Sequence, residues 1–280
     1  MFRQQVLDVL LIILQDKLKK VSNKPLQNII GVSNMRFLFM SWFILLLLSK
    51  PLWASEEGQF TIGAASITSP NIYAGASNET KVLPDLKYSK GAFAIGFKEG
   101  VSYKPSQKQN NTITLSVVPR FKSYDTGDSA NLAGMSRGHT IDFGVRSKVK
   151  VNEGGTLDIQ LFKELTDKHS GTQIDLAYRK FFMNDVVPFS VSIGSKWYSS
   201  GLARYDFGVL DSEAKSGRAA YNPGAALVPY VGISSFYKFS DSVSLFGSIS
   251  SQFLPSKLTD SPIVSETNKT TTVIGLSYSL

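Results

Sequence analysis

The feature that most restricts the fold of this chain is a strict alternation of apolar and polar residues. Between Ile141 and Asn152, apolar residues at positions 141, 143, 145, 149 and 151 alternate with Asp, Gly, Arg and Lys. Successive side chains of a β-strand point to opposite faces of the sheet, so this period indicates a strand with one apolar and one charged face.

The same alternation recurs along the chain and predicts twelve strands. They are Phe60–Ile62, Val82–Tyr88, Phe93–Phe97, Ile113–Phe121, Ile141–Asn152, Leu157–Leu161, Ile174–Arg179, Val187–Trp197, Tyr205–Val209, Val231–Phe239, Val243–Phe253 and Ile274–Leu280. No helical stripe beyond residue 54 is long enough to cover a sheet. The predicted fold class is therefore all-β.

Alternation alone fits a soluble β-sandwich as well as a membrane barrel. Three further features favour a transmembrane antiparallel up-and-down barrel. Many of the strands are long, which suits a tilted strand crossing a bilayer. Short turns such as 152–155 alternate with long polar loops such as 122–138, 211–226 and 255–268, as in outer-membrane barrels. The last strand alternates up to its final residue, with Leu276, Tyr278 and Leu280 on one face, and is expected to close the barrel.

The residues before the predicted strands have a different pattern of charged and apolar residues. Residues 35–54 combine a basic start at Arg36, a short apolar run and a small residue, Ala54, which is typical of a cleaved secretory signal peptide. The apolar run is shorter than the roughly 20 residues of a membrane-spanning helix. Residues 1–34 are expected to be a mis-assigned start or an extended leader, and residues 55–280 to form the barrel domain.

The charge and the scarcity of reactive residues narrow the function. Most of the formal charge of +8 comes from the first 54 residues, so the remainder lacks the basic stripe of a nucleic-acid-binding protein. The absence of cysteine excludes a thiolate metal site and a cysteine nucleophile, and no cofactor is predicted. The near-zero mean hydropathy of -0.02 is what strands with one lipid-facing and one polar face should average to.

Three sequence motifs resemble the MipA/OmpV outer-membrane proteins. They are the SGxxxY motif with Ser216, Gly217 and Tyr221, a tight polar hairpin at 237–245, and the TDSPIV motif with Asp260, Ser261 and Pro262, followed by the terminal strand. The resemblance is strongest over residues 205–280 and extends from Gly58 onward. The terminal Leu280 departs from the aromatic residue that is usual in the family.

The resemblance implies a barrel in the Gram-negative outer membrane. Its surroundings would be outer-membrane lipid and lipopolysaccharide, and the barrel assembly machinery would recognise the C-terminal strand. One described role in the family is a scaffold that joins a murein lytic transglycosylase to a murein synthase. Other members are described as osmotically regulated or adhesive surface proteins. A scaffold in the cell envelope, without chemistry of its own, is therefore the expected function.

Charged residues on the polar faces of the strands are expected to face the barrel lumen. They are Asp142, Arg146, Lys148, Asp158, Asp175 and Arg179. Opposite charges interleaved in this way are more typical of a network that lines a barrel than of an acid–base pair. The basic residues, together with Lys150 and Lys196, leave open the alternative of a channel that passes or binds small anions.

A barrel hydrolase is the remaining alternative. The candidate bases are His139, next to Thr140, and His169, next to Ser170. A catalytic triad requires its base and nucleophile within hydrogen-bonding distance, whereas neighbouring residues of a strand point to opposite faces. Both histidines are therefore interpreted as ordinary polar or loop residues.

Overall fold

The computed structural model describes residues 58–97, 99–183 and 187–280. Within these residues, twelve strands form a closed barrel in which each strand pairs antiparallel with its neighbours and the first pairs with the last. The predicted all-β, up-and-down barrel is confirmed. The predicted leader, the signal peptide and the first residues of the predicted barrel domain lie outside the described residues.

The strands and helices follow in chain order. The strands are β1 Gln59–Ser69, β2 Glu79–Lys90, β3 Phe93–Gly96, β4 Gly100–Gln107, β5 Asn111–Arg120, β6 Thr140–Asn152, β7 Gly155–Glu164, β8 Thr172–Phe182, β9 Phe189–Tyr198, β10 Ala226–Lys238, β11 Val243–Phe253 and β12 Asn268–Ser279. Within the described residues, two short α-helices, α1 Ser200–Phe207 and α2 Ser256–Thr259, lie in loops. No helix in the described part of the chain has the length and apolar character to cross a membrane.

One predicted strand is wrong and one observed strand was not predicted, so the number of strands is still twelve. Tyr205–Val209 was predicted as a strand, but most of it belongs to α1, whose first turn is capped by the Ser199 hydroxyl accepting from the backbone N of Leu202. The strand β4 was missed because Pro105 interrupts it, and the pairing of β4 with β5 shifts register between Tyr103 and Ser106. A bulge of this kind breaks the period of two.

Two prolines lie in strands where a neighbouring strand is missing on one side. The pairing of β2 with the short β3 begins at Lys87, so Pro84 pairs only with Ala64 of β1. The pairing of β4 with β5 ends at Val117, so Pro119 pairs only with β6. A proline has no N–H to donate to a ladder and is tolerated at such edges.

The two ends of the barrel differ sharply. One rim carries the short turns at 91–92, 108–110, 153–154 and 239–242 together with the start of β1 and the end of β12. The other rim carries L1 (70–78), L3 (121–139), L4 (165–171), L5 (199–225) and L6 (254–267). In outer-membrane barrels the short turns face the periplasm.

Register places the apolar residues outside and the polar residues inside. Val191, Ile233 and Ile249 lie side by side on adjacent strands and are 43%, 47% and 50% exposed. Such a row is the surface that lipid would cover. The alternate positions carry mainly Ser, Gly, Thr and charged residues, so the barrel wall itself holds little apolar core.

The terminal strand closes the barrel as the sequence predicts. β12 pairs with β1 from Thr272 to Ser279 and with β11 from Asn268 to Tyr278. Leu276, Tyr278 and Leu280 are exposed on the outer face. Closure satisfies backbone groups whose exposure in lipid would cost several kcal/mol each.

Candidate functional site

The main apolar core of the described chain lies in the long loops, not in the barrel wall. Residues from L1, L3, L5 and L6 pack together with the first residues of β10, and we call this assembly the cap. Its buried members are Ile72, Tyr73, Tyr124, Leu132, Met135, Ala203, Phe207, Val209, Ala226, Val228, Leu258 and Ile263. Six of them, including Leu132 and Leu258, are completely shielded from solvent. Burial on this scale gives the long loops a defined structure over the barrel mouth.

Backbone and side-chain hydrogen bonds connect the loops of the cap. Tyr73 of L1 pairs with Val264 of L6 in a short antiparallel bridge. The hydroxyl of Ser261, which is buried, donates to the carbonyl of Phe207 in α1 at 2.6 Å. Asn131 of L3 donates to the carbonyl of Pro262 at 2.9 Å. Three residues of the TDSPIV motif, Ser261, Pro262 and Val264, therefore bind the other loops of the cap.

A buried ion pair fastens L3 to L5. The Arg137 guanidinium donates to both carboxylate oxygens of Glu213, at 2.6 and 3.0 Å, and both side chains are more than 90% buried. The same guanidinium donates to the carbonyls of Tyr205 and Gly208 and lies 5.8 Å from the ring centroid of Tyr124. Burial alone would raise the pKa of Glu213, but the hydrogen bonds and charge of Arg137 hold it below its usual value.

The SGxxxY motif forms a turn at the edge of the cap. Gly217 has a φ of +77°, a conformation that favours glycine, while Ser216 is exposed. This turn positions Arg218, which is almost fully buried and donates to the carbonyls of Ala133 and Glu213, both at 3.1 Å. Tyr221 donates its hydroxyl proton to the carbonyl of Lys257 at 3.1 Å and Asp260 ends α2.

The two histidines lie in different surroundings, and neither is hydrogen-bonded to a serine or threonine hydroxyl in the described residues. The Nδ1 atom of His139 accepts from the backbone N of Lys122. The Nδ1 atom of His169 accepts from the backbone N of Gly171 at 2.9 Å, and its ring lies 4.8 Å from that of Tyr205. The Nε2 atom of His169 is buried without a hydrogen-bond partner among the described residues.

We expect acid to loosen L4 through His169. Burial lowers the pKa of His169, and this outweighs the attraction of Glu164 and Asp206. Because the folded pKa lies below the unfolded value of about 6.5, the neutral ring stabilises the fold above that pH, and the contribution is lost as the pH falls towards the folded pKa. Hydrogen exchange of L4 amides, corrected for intrinsic rates, should accelerate on acidification in the wild type. The dependence should vanish in His169→Gln, and its persistence would contradict this assignment.

Charged side chains pair across the inner face of β5, β6 and β7. Arg120 donates its Nε proton to Asp142 at 2.7 Å, and Arg146 donates its Nε proton to Asp158 at 2.8 Å. Both aspartates are buried. One oxygen of Asp142, Oδ1, has no hydrogen-bond partner among the described residues.

The other predicted lumen charges lie on the same inner register. Lys148 lies opposite Asp158, and Arg179 lies opposite Thr156 and Ser192. Asp175 accepts the hydroxyl proton of Tyr230 at 2.9 Å. The six residues thus line one continuous wall, though only some of them contact each other.

A cavity of about 340 Å³ lies in the lumen directly beneath the cap. Its roof is formed by cap residues such as Tyr73 and Phe207, and its wall by inner-face residues of the barrel. The charged and amide side chains in its lining are Arg120, Asp142, Gln173, Lys196, Asp206, Gln252 and Lys269. We call this cavity the chamber.

Comparison with known proteins places the chain among outer-membrane proteins. The profile of the family described as "MltA-interacting protein MipA" matches residues 62–280. The MltA-interacting protein of Escherichia coli is 26% identical over 238 residues, covering 80% of this chain and 92% of that protein. Outer membrane protein OmpV of Vibrio cholerae is 26% identical over 210 residues, covering 70% and 80%. A solved outer membrane channel of Pseudomonas putida aligns over 83% of this chain and 99% of its own, with 11% identity and a TM-score of 0.40.

Proposed function

The chain belongs to the family of MltA-interacting protein MipA and is an outer-membrane β-barrel, and from this premise we propose that it anchors murein-synthesising and murein-degrading enzymes without chemistry of its own. The name of the Escherichia coli relative states an interaction of that protein with MltA. The partners proposed here are a murein lytic transglycosylase and a murein synthase.

The two rims of the barrel expose different kinds of surface, and this difference supports the proposal. On the long-loop side, L1, L3, L5 and L6 bury their apolar residues in the cap, and many of their polar groups form hydrogen bonds with one another. On the short-turn side, which faces the periplasm where murein lies, charged side chains stand exposed. They are Lys108, Lys150, Glu153, Lys238 and Asp241. We call this set the periplasmic rim, and it is the surface offered for periplasmic partners.

The absence of chemistry is part of the proposal. In the described residues, each histidine uses its Nδ1 to accept a backbone hydrogen bond, and the carboxylates of the inner wall are engaged by arginines or by a tyrosine hydroxyl. Such groups form a structural network and leave no base in contact with a nucleophile. The cap also favours an anchor over an open channel, because it packs across one mouth of the barrel.

We expect charge reversal on the periplasmic rim to weaken partner capture strongly. The test variant is Lys108→Glu, Lys150→Glu and Lys238→Glu, and the matched control reverses three exposed charges on the loop side, Lys168, Arg204 and Lys257. Tagged protein would be captured from detergent extracts of envelopes, and both murein enzyme classes quantified by peptide mass spectrometry. Rim charge reversal should reduce recovery about tenfold or more, since electrostatic complementarity guides such contacts.

Two results would overturn the proposal. One is that the wild-type protein recovers neither class of murein enzyme. The other is equal recovery by the rim variant and the wild type. Heat-modifiable gel mobility confirms in each case that the barrel is folded.

A further inference from the structure

The chamber contains two cationic side chains that no carboxylate pairs with directly. Lys196 of β9 and Lys269 of β12 both line it, and neither ammonium group has a carboxylate oxygen within 4 Å among the described residues. Lys196 lies 5.4 Å from the ring centroid of Tyr230. Carboxylates act on them only at longer range: Asp206 attracts Lys269 more strongly than Lys196 repels it, and Asp175 attracts Lys196 more strongly than Arg120 repels it. Neither ammonium group donates a hydrogen bond to a described residue, and a charged donor in a shielded site is costly without a partner.

Each carboxylate near these lysines accepts a hydrogen bond from another group. Asp142 is bound by Arg120, and Asp175 accepts from the Tyr230 hydroxyl. Asp206, on α1, accepts from the Ser123 hydroxyl at 2.8 Å. Burial raises the pKa of Asp206 despite that hydrogen bond. None of these carboxylates bonds directly to Lys196 or Lys269, so the donors of both ammonium groups remain open to a ligand in the chamber.

The rest of the lining suits an organic ligand rather than a bare inorganic ion. Gln173, Gln252 and Ser123 offer donors and acceptors, while Tyr198 and Phe207 offer aromatic surface. The volume of about 340 Å³ falls within the range of small-molecule sites. A polyhydroxylated molecule with one acid group would match this combination.

We propose that the chamber is a binding site for a small polyhydroxylated carboxylate, whose acid group lies between Lys196 and Lys269 and whose hydroxyl groups bond to Gln173 and Gln252. Register places both lysines on the inner face. Lys269 lies opposite Gln252 and Gln252 opposite Tyr230, which is two residues from Val228, the partner of Lys196. The site is independent of the murein partners, since it lies under the cap and not at the periplasmic rim.

The test uses glucuronate as the probe and glucose as its neutral counterpart, with the full-length barrel in detergent micelles at low salt. Isothermal titration should detect glucuronate and not glucose. Lys196→Gln and Lys269→Gln should each weaken glucuronate binding about tenfold or more, because each removes a charge-assisted hydrogen bond. Lys168→Gln makes the same change in net charge on an exposed loop residue that does not line the chamber, and it should leave binding unchanged.

Further variants protect the test against misfolding. Lys196→Arg and Lys269→Arg keep the charge and should retain most of the binding, and heat-modifiable mobility reports whether each barrel is folded. The proposal is overturned if the folded wild type does not bind glucuronate, if glucose binds equally well, or if the double Gln variant binds like the wild type. None of these results affects capture of murein enzymes, so the two proposals fail separately.

Discussion

Arg137→Ala is expected to expose the cap to solvent while the barrel stays folded. The substitution leaves the buried Glu213 carboxylate without its partner and removes the donors to Tyr205 and Gly208. Breaking a buried ion pair by removing one member typically costs about 3–5 kcal/mol. Amide hydrogen exchange in L3 and L5, followed by mass spectrometry in micelles, should therefore accelerate roughly a hundredfold or more.

The control for this prediction is Arg204→Ala. Arg204 lies on α1, close in sequence to the same contacts, but its side chain is exposed, so its removal should change exchange little. Arg137→Lys is a second test, because an ammonium group cannot reproduce the two-pronged contact of a guanidinium with Glu213. Wild-type exchange rates in Arg137→Ala would show that the ion pair does not hold the cap.

The same variant separates an anchor from a channel. If the cap seals the long-loop mouth, the wild type should be silent in a planar bilayer and Arg137→Ala should pass current. Steady current through the wild type, selective for anions, would favour the channel alternative. This measurement concerns the barrel mouth only and leaves the chamber proposal to its own titration.

The barrel was predictable from sequence because its signal is local. A period of two over ten residues identifies a strand and also which residues share a face, so the sequence alone assigns Asp142, Arg146 and Asp158 to one wall. The same alternation predicts that Lys196 faces the lumen. It makes no such prediction for Lys269, because the first residues of β12, Asn268–Thr272, are all polar and show no alternation.

The cap could not be predicted because its contacts have no local signature. Arg137 and Glu213 are 76 residues apart, and nothing in either loop specifies the other. The family motifs indicated where the relevant loops lie, but not that Ser261 reaches Phe207 or that Gly217 turns the chain so that Arg218 is buried. The buried arginines mark the cap in the structure, but the burial of a loop arginine cannot be recognised from the sequence.

The second large effect is expected on the outer face of the barrel, from Ile233→Arg. Ile233 lies mid-strand between Val191 and Ile249 in the exposed apolar row. Placing an arginine on the lipid-facing side near the middle of a barrel strand costs about 2–4 kcal/mol. Unfolding by urea in lipid vesicles, monitored by heat-modifiable mobility, should shift to lower denaturant concentration by that free energy.

The matched control places the same charge on the opposite face. Ser250 lies on β11, directly opposite Gly232 and Thr271 on the inner register, where an arginine can extend into the polar lumen. Ser250→Arg should therefore cost much less than Ile233→Arg, although the two positions are on adjacent strands. If Ile233→Arg does not assemble, Ile233→Ser gives the same ordering with a smaller penalty. Equal penalties for the two arginine variants would contradict the assignment of the faces, and with it the argument that the charged wall and the chamber lie inside the barrel.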